Sequence, residues 1–144
     1  MSIWEGTAEM ASKSFLDTGV LISAWQGDPA RQIRALIILS DSQRQFACSP
    51  FVKLELIPKA TYHRNQHELK FYNEYFNRQV AEWVDDLSLL YAEGLKTASR
   101  FGLRAMDALH ITAALIADCD EFITAEKPTS PFNRVISITV LSIY

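Results

Sequence analysis

SKSFLDTGVL, residues 12–21, carries a carboxylate, Asp17, at the end of an apolar run that otherwise suits a protein core. Phe15 and Leu16 lead into it, and Gly19, Val20 and Leu21 lead out. Desolvating an unpaired charge is very costly, so acids are rarely buried without a partner. Asp17 is therefore either a helix cap or one of a group of acids that share a cation. The residues before it, Lys13–Leu16, read as a short strand that stops at Asp17 and Gly19.

Working outward, the chain alternates short strand signals with helical ones. After GDP (27–29), Asp28 can cap and Pro29 suits a first helical turn, and ARQIRALIIL (30–39) has apolar residues at helical spacing. Gln45–Cys48 is a strand candidate. In SPFVKLELIPKATYH (49–63), Ser49 is the N-cap and Pro50 the first helical position, and Pro58 is expected to kink or break that helix. Gln66–Arg78 places Leu69, Phe71, Tyr72, Tyr75 and Phe76 along one stripe, a second amphipathic helix. Glu82–Val84 reads as a brief strand. Asp86–Phe101 reads as a helix ended by Gly102, and Ala105–Ala117 as a helix apolar enough all round to be buried. Glu121–Thr124 and Val135–Ile138 are further strand candidates, with Ile138–Ile143 as a continuation. Such alternation implies parallel pairing through right-handed crossovers. The expected class is α/β, a three-layer α/β/α sandwich with a short central parallel sheet. Ligands of such sheets bind beyond the carboxyl ends of the strands, which is where Asp17 falls.

At 144 residues, 49% hydrophobic and 22% charged, the chain suits one globular domain. Residues 12–144 are read as that domain and residues 1–11 as a flexible N-terminal extension, with Met10 an alternative start. No apolar run approaches the ~18–20 residues of a membrane span. MSIWEGTAEM lacks the basic-then-apolar pattern of a secretion signal. Cys48 and Cys119 show no CxxC spacing, which favours buried thiols over a disulfide or thiolate site and fits a cytoplasmic location. The net charge of −3 argues against a bulk nucleic-acid binder. Residues 44–78 nevertheless hold six basic side chains against three acidic, in an otherwise acidic chain. Such asymmetry marks either an anion-facing surface or solvated helix faces.

Three further acids occupy awkward positions. Glu55 lies between leucines in FVKLELI, Asp107 opens the buried helix three residues before His110, and Glu126 follows FITA at a strand's end. One sheet rim can collect all four. Clustered carboxylates repel, and a hard divalent cation such as Mg²⁺ or Mn²⁺ removes the conflict. Acids holding such ions over a sheet suit phosphodiester hydrolysis. The plainer readings are that Asp17 caps a helix, that Asp107 favours a helix dipole, and that Glu126, beside Lys127, is solvated. His63 and His67 in HRNQH lack the glutamate of HExxH and any third zinc ligand. His110 either orients an acid, contacts substrate or is a satisfied core residue.

Together FLDTGVLI (15–22), SPFVKLEL (49–56), GLRAMDALHITAALIA (102–117) and FITAE (122–126) resemble the PIN domain family, whose metal-dependent nucleases include VapC-like toxins of bacterial toxin–antitoxin pairs. The resemblance implies that Asp17, Glu55 and Asp107 are metal-binding catalytic acids, with Glu126 completing the set. Members commonly carry an aspartate where Glu126 stands, so this position departs from the pattern. Thr18 and Thr124 match supporting hydroxyls.

The resemblance further implies a Mg²⁺- or Mn²⁺-dependent endoribonuclease acting on RNA, the toxin of a pair with a protein antitoxin, and a homodimer. Lys53, Lys59 and Arg64 are candidates for holding RNA phosphates, and the aromatics at 62–76 either stack bases or form core. Helical spacing favours core. The alternatives are a non-catalytic module whose acidic rim docks a basic protein, and a structure-selective DNA nuclease.

Overall fold

The computed structural model describes residues 11–144, so the expected extension falls almost wholly outside the described residues. Five strands, β1 (Ser12–Leu16), β2 (Arg44–Cys48), β3 (Val80–Trp83), β4 (Glu121–Thr124) and β5 (Thr139–Ser142), form one parallel sheet. Their order across the sheet is β3-β2-β1-β4-β5. Among the described residues six α-helices flank it: α1 (Thr18–Gln26), α2 (Pro29–Leu39), α3 (Pro50–Tyr62), α4 (Gln66–Glu74), α5 (Leu87–Phe101) and α6 (Ala105–Ile116). The α/β sandwich expected from the alternation is the architecture found. None of these helices is long and apolar enough to cross a membrane.

Local chemistry explains where the helices start. Side-chain oxygens of Asp17, Asp28, Ser49, Asn65 and Asp86 accept from backbone N–H groups that the first turns of α1 to α5 leave without a helical partner. Pro29 and Pro50 occupy first turns, where the missing N–H costs nothing. At its far end α5 stops at Gly102, whose φ of 65° is the left-handed conformation that glycine tolerates. Arg104, which opens α6, makes no such side-chain cap.

The helix that Asp17 was free to cap is α1, Thr18–Gln26. Two expectations need correction. Pro58 does not break α3, which runs unbroken to Tyr62. Pro58 and Leu54 both lie on the exposed face of α3, the side on which a missing helical donor disturbs the core least. Val135–Ile138 is not a strand. Pro131 starts a 3₁₀ turn over Pro131–Arg134, Ile136 stands 87% exposed, and pairing with β4 begins only at Thr139. The stripe expected over Gln66–Arg78 is α4 followed by a π-turn, Tyr75–Gln79.

The core lies on both sides of the sheet. On one, Phe15 stacks on Phe122 with ring centroids 5.8 Å apart and faces His110 of α6 at 6.2 Å. Phe132 closes over Phe122 at 4.8 Å. α5 and α6 pack together, and α6 contacts β2 and β4; α1 lies against β1, β4 and α2. Tyr72, Tyr75 and Phe76 are buried, Tyr75 against Phe46 and Phe76 against Trp83. These aromatics are core, whereas Tyr62 stands 82% exposed.

Candidate active site

Asp17 leaves the sheet at the carboxyl end of β1. Its neighbour across the strand pair is β4, whose last residue is Thr124. From β1 the chain builds outward to β2 and β3 on one side, then returns to place β4 and β5 on the other. The strand order therefore reverses between β1 and β4, and an open α/β sheet has its binding crevice at such a reversal. The Thr124 hydroxyl donates to Asp17 Oδ2 at 3.1 Å, directly across it. The same hydroxyl accepts from Glu126 N at 3.0 Å, so Thr124 ties the first acid to the loop bearing the last.

The other acids arrive at this rim by topology. Glu55 lies in α3, which leaves the carboxyl end of β2. Asp107 lies in the first turn of α6, which runs back toward β4 and so starts at the same edge. Asp17, Glu55, Asp107 and Glu126, with Thr18, line one open cleft of 570 Å³. Thr18 links two of them: its N–H donates to Asp17 Oδ1 at 2.9 Å and its hydroxyl to Glu55 at 3.4 Å. Asp17 is thus a helix cap, but each oxygen keeps a second lone pair for a cation. α1 approaches the β4 loop closely at Gly19, where a Cβ would stand 3.1 Å from that of Ala125.

The charges in this cleft are unequal. Burial pushes the Asp17 carboxyl up to about 6, opposed by the neighbouring His110 and the Thr124 hydrogen bond. Asp107 is also raised, mainly by burial, although Arg104 opposes it from 3.9 Å. Glu55, whose side chain is 35% exposed, is lowered chiefly by its hydrogen bond to His110 Nε2. His110 is fully buried, and its Nδ1 has no hydrogen-bond partner among the described residues. It meets Glu55 through Nε2 and presents no surface to a substrate.

No three His, Cys, Asp or Glu side chains among the described residues stand close enough to enclose an ion by themselves. His110 engages Glu55, Thr124 engages Asp17, and Thr18 engages both. The donor set nevertheless fits a hard cation: it is all oxygen, and its most buried carboxylate lacks a positive partner within hydrogen-bonding reach. Mg²⁺ is usually held by one or two carboxylates and keeps several waters, so it does not need a closed protein cage.

The remaining candidates divide. Lys59 lines an adjoining groove with Glu55, His63 and Asn65. Lys53 lies over aromatic rings instead, its Nζ 4.7 Å from the centre of Trp83 and 5.5 Å from Phe76. Arg64 sits in the turn after α3 with a φ of 54° and lines neither cavity. Arg31, Lys127 and Tyr144 do line the acidic cleft, and no local motif in the sequence marks them as site residues. Both cysteines are free, their thiols each pushed up to about 12 by burial.

A sequence model of the PIN domain matches residues 14–134. The chain belongs to the PIN domain family. PIN domains are nucleases and generally use divalent metal ions. Solved structures share the fold at low identity. A chain of VapBC2 from Rickettsia felis, bound to a DNA fragment from their promoter, gives a TM-score of 0.67 at 15% identity, covering 90% of this chain and 98% of its own. A toxin–antitoxin complex from Klebsiella pneumoniae gives 0.65 at 17%, covering 91% and 98%. FitAcB from Neisseria gonorrhoeae gives 0.60 at 17%, covering 90% and 97%. Among curated proteins, sequence comparison finds none that matches.

Proposed function

We propose that this PIN domain is a Mg²⁺- or Mn²⁺-dependent endoribonuclease and the toxin of a cytoplasmic toxin–antitoxin pair. The strongest support is the meeting of Asp17, Glu55, Asp107 and Glu126 in one cleft where the strand order reverses. A bound divalent ion there supplies Lewis acidity, lowering the pKa of a water and offsetting charge on the leaving oxygen. Asp17, Glu55 and Asp107 hold the ion, and Glu126 completes the set with a longer side chain than the aspartate expected there. Thr18 and Thr124 fix the Asp17 carboxylate, and His110 fixes Glu55. Fixing them in advance removes reorganisation that would otherwise accompany the reaction.

The VapBC and FitAcB likenesses favour a protein antitoxin as partner, with a basic residue reaching the acids. A homodimer would set two such clefts along one groove. The test is cleavage of single-stranded RNA, structured RNA and DNA flaps side by side, with Mn²⁺ or EDTA. Metal-dependent RNA cleavage that Asp17→Asn abolishes is the expected result. Cleavage confined to flaps would instead make it a DNA nuclease. No cleavage by the wild type, or equal cleavage by Asp17→Asn, would remove the catalytic assignment and leave a binding module.

A further inference from the structure

We infer that Arg31, Lys127 and Tyr144 form a phosphate-binding site on the acidic cleft, which grips the backbone of a single-stranded nucleic acid beside the acids. This rests on the nuclease reading above and extends it to substrate positioning. All three residues line the same cleft as Asp17 and Glu126. The Arg31 guanidinium carbon lies 4.6 Å from the centre of the Tyr144 ring, and Lys127 Nζ lies 5.5 Å from it.

Such an arrangement leaves the donors available. Stacking uses the face of a guanidinium, whereas its five N–H groups radiate in the plane and match phosphate oxygens. The Arg31 guanidinium forms an ion pair with Asp28, whose Oδ2 stands 3.4 Å from Nε, and the buried Nε makes no hydrogen bond to the described residues. The side chain is 32% exposed, so its outward N–H groups are the ones that would meet a phosphate oxygen.

Tyr144 is held in place by the backbone around it. Its N–H donates to the Ser142 hydroxyl, which donates to the Glu126 carbonyl. Ile143 is tied to Thr124 through its N–H at 2.9 Å and to Arg34 through its carbonyl at 2.9 Å. The residue, 51% exposed, thus presents its ring to the two cations from a tethered backbone.

The test is fluorescence anisotropy of a short labelled single-stranded RNA in EDTA, where no hydrolysis competes, over a series of salt concentrations. Arg31→Ala should weaken binding about tenfold, as expected for losing a charge-assisted hydrogen bond. Arg31→Ala and Lys127→Ala should each flatten the plot of log affinity against log salt by about 0.7, the increment for one single-strand phosphate. Arg31→Lys should recover the slope but only part of the affinity, and Tyr144→Phe should bind as wild type while Tyr144→Ala binds weakly. If Arg31→Ala does not fold, Lys127→Ala, on an exposed loop, carries the test alone. Wild-type affinity and slope in the alanine variants would overturn the site while leaving the nuclease reading standing. If the wild type neither binds nor cuts RNA, both fall. Arg31-dependent capture of an acidic peptide but not RNA would also overturn the site.

Discussion

At Asp17 the folded chain keeps a carboxylate under conditions that disfavour its charge. Its value of about 6 lies above the ordinary 3.8, so the folded protein holds this proton more tightly than the unfolded chain. For the metal-free protein, this group's contribution is most favourable below pH 4, is lost as pH rises to about 6, and stays lost above it. The resulting cost at pH 7 is about 3 kcal/mol. Asp17→Asn should therefore raise metal-free stability at pH 7 by on the order of 1–3 kcal/mol, because the lost acceptor offsets part of the gain. At pH 4 the gain should vanish, which urea titrations at the two values measure. His110→Ala should cost about 2–4 kcal/mol through the cavity it leaves, and should lower cleavage because Glu55 loses its anchor. Asp17 was conspicuous in the sequence because a charge interrupts an apolar run. Arg31, Lys127 and Tyr144 were not, since residues so far apart share no local pattern.

At the scale of elements, caps and proline positions made most boundaries legible, including Ser49–Pro50, Asp86 and Gly102. The failures have physical causes. Val135 to Val140 holds enough β-branched residues to suggest a strand anywhere along it, but only pairing with β4 sets where it starts. Pro58 looked like a breaker because propensity ignores which face the proline occupies. Exposed in α3, it is tolerated at a cost, so Pro58→Ala should stabilise the protein by on the order of 1–3 kcal/mol, visible as a higher thermal midpoint. Gly102→Ala should destabilise it by about 1 kcal/mol or more, since a Cβ strains the left-handed conformation.

Over the whole molecule, the strand order turns distant sequence positions into one cleft. Asp17 and Glu126 are over a hundred residues apart and meet because β4 inserts beside β1 rather than beyond β3. Alternating strand and helix signals implied a parallel sheet; the reversal between β1 and β4 is a property of packing that no single segment encodes. The same topology concentrates negative charge, so a cation that binds only the folded state should stabilise it, by about 2.7 kcal/mol at a hundredfold excess over its Kd. Calorimetric titration of Mn²⁺ at pH 7 into the wild type and Asp17→Asn measures this directly. Saturable binding to the wild type that Asp17→Asn abolishes or severely weakens is the expected result. Equal binding to the two proteins, or none to the wild type, would contradict a cation site centred on Asp17.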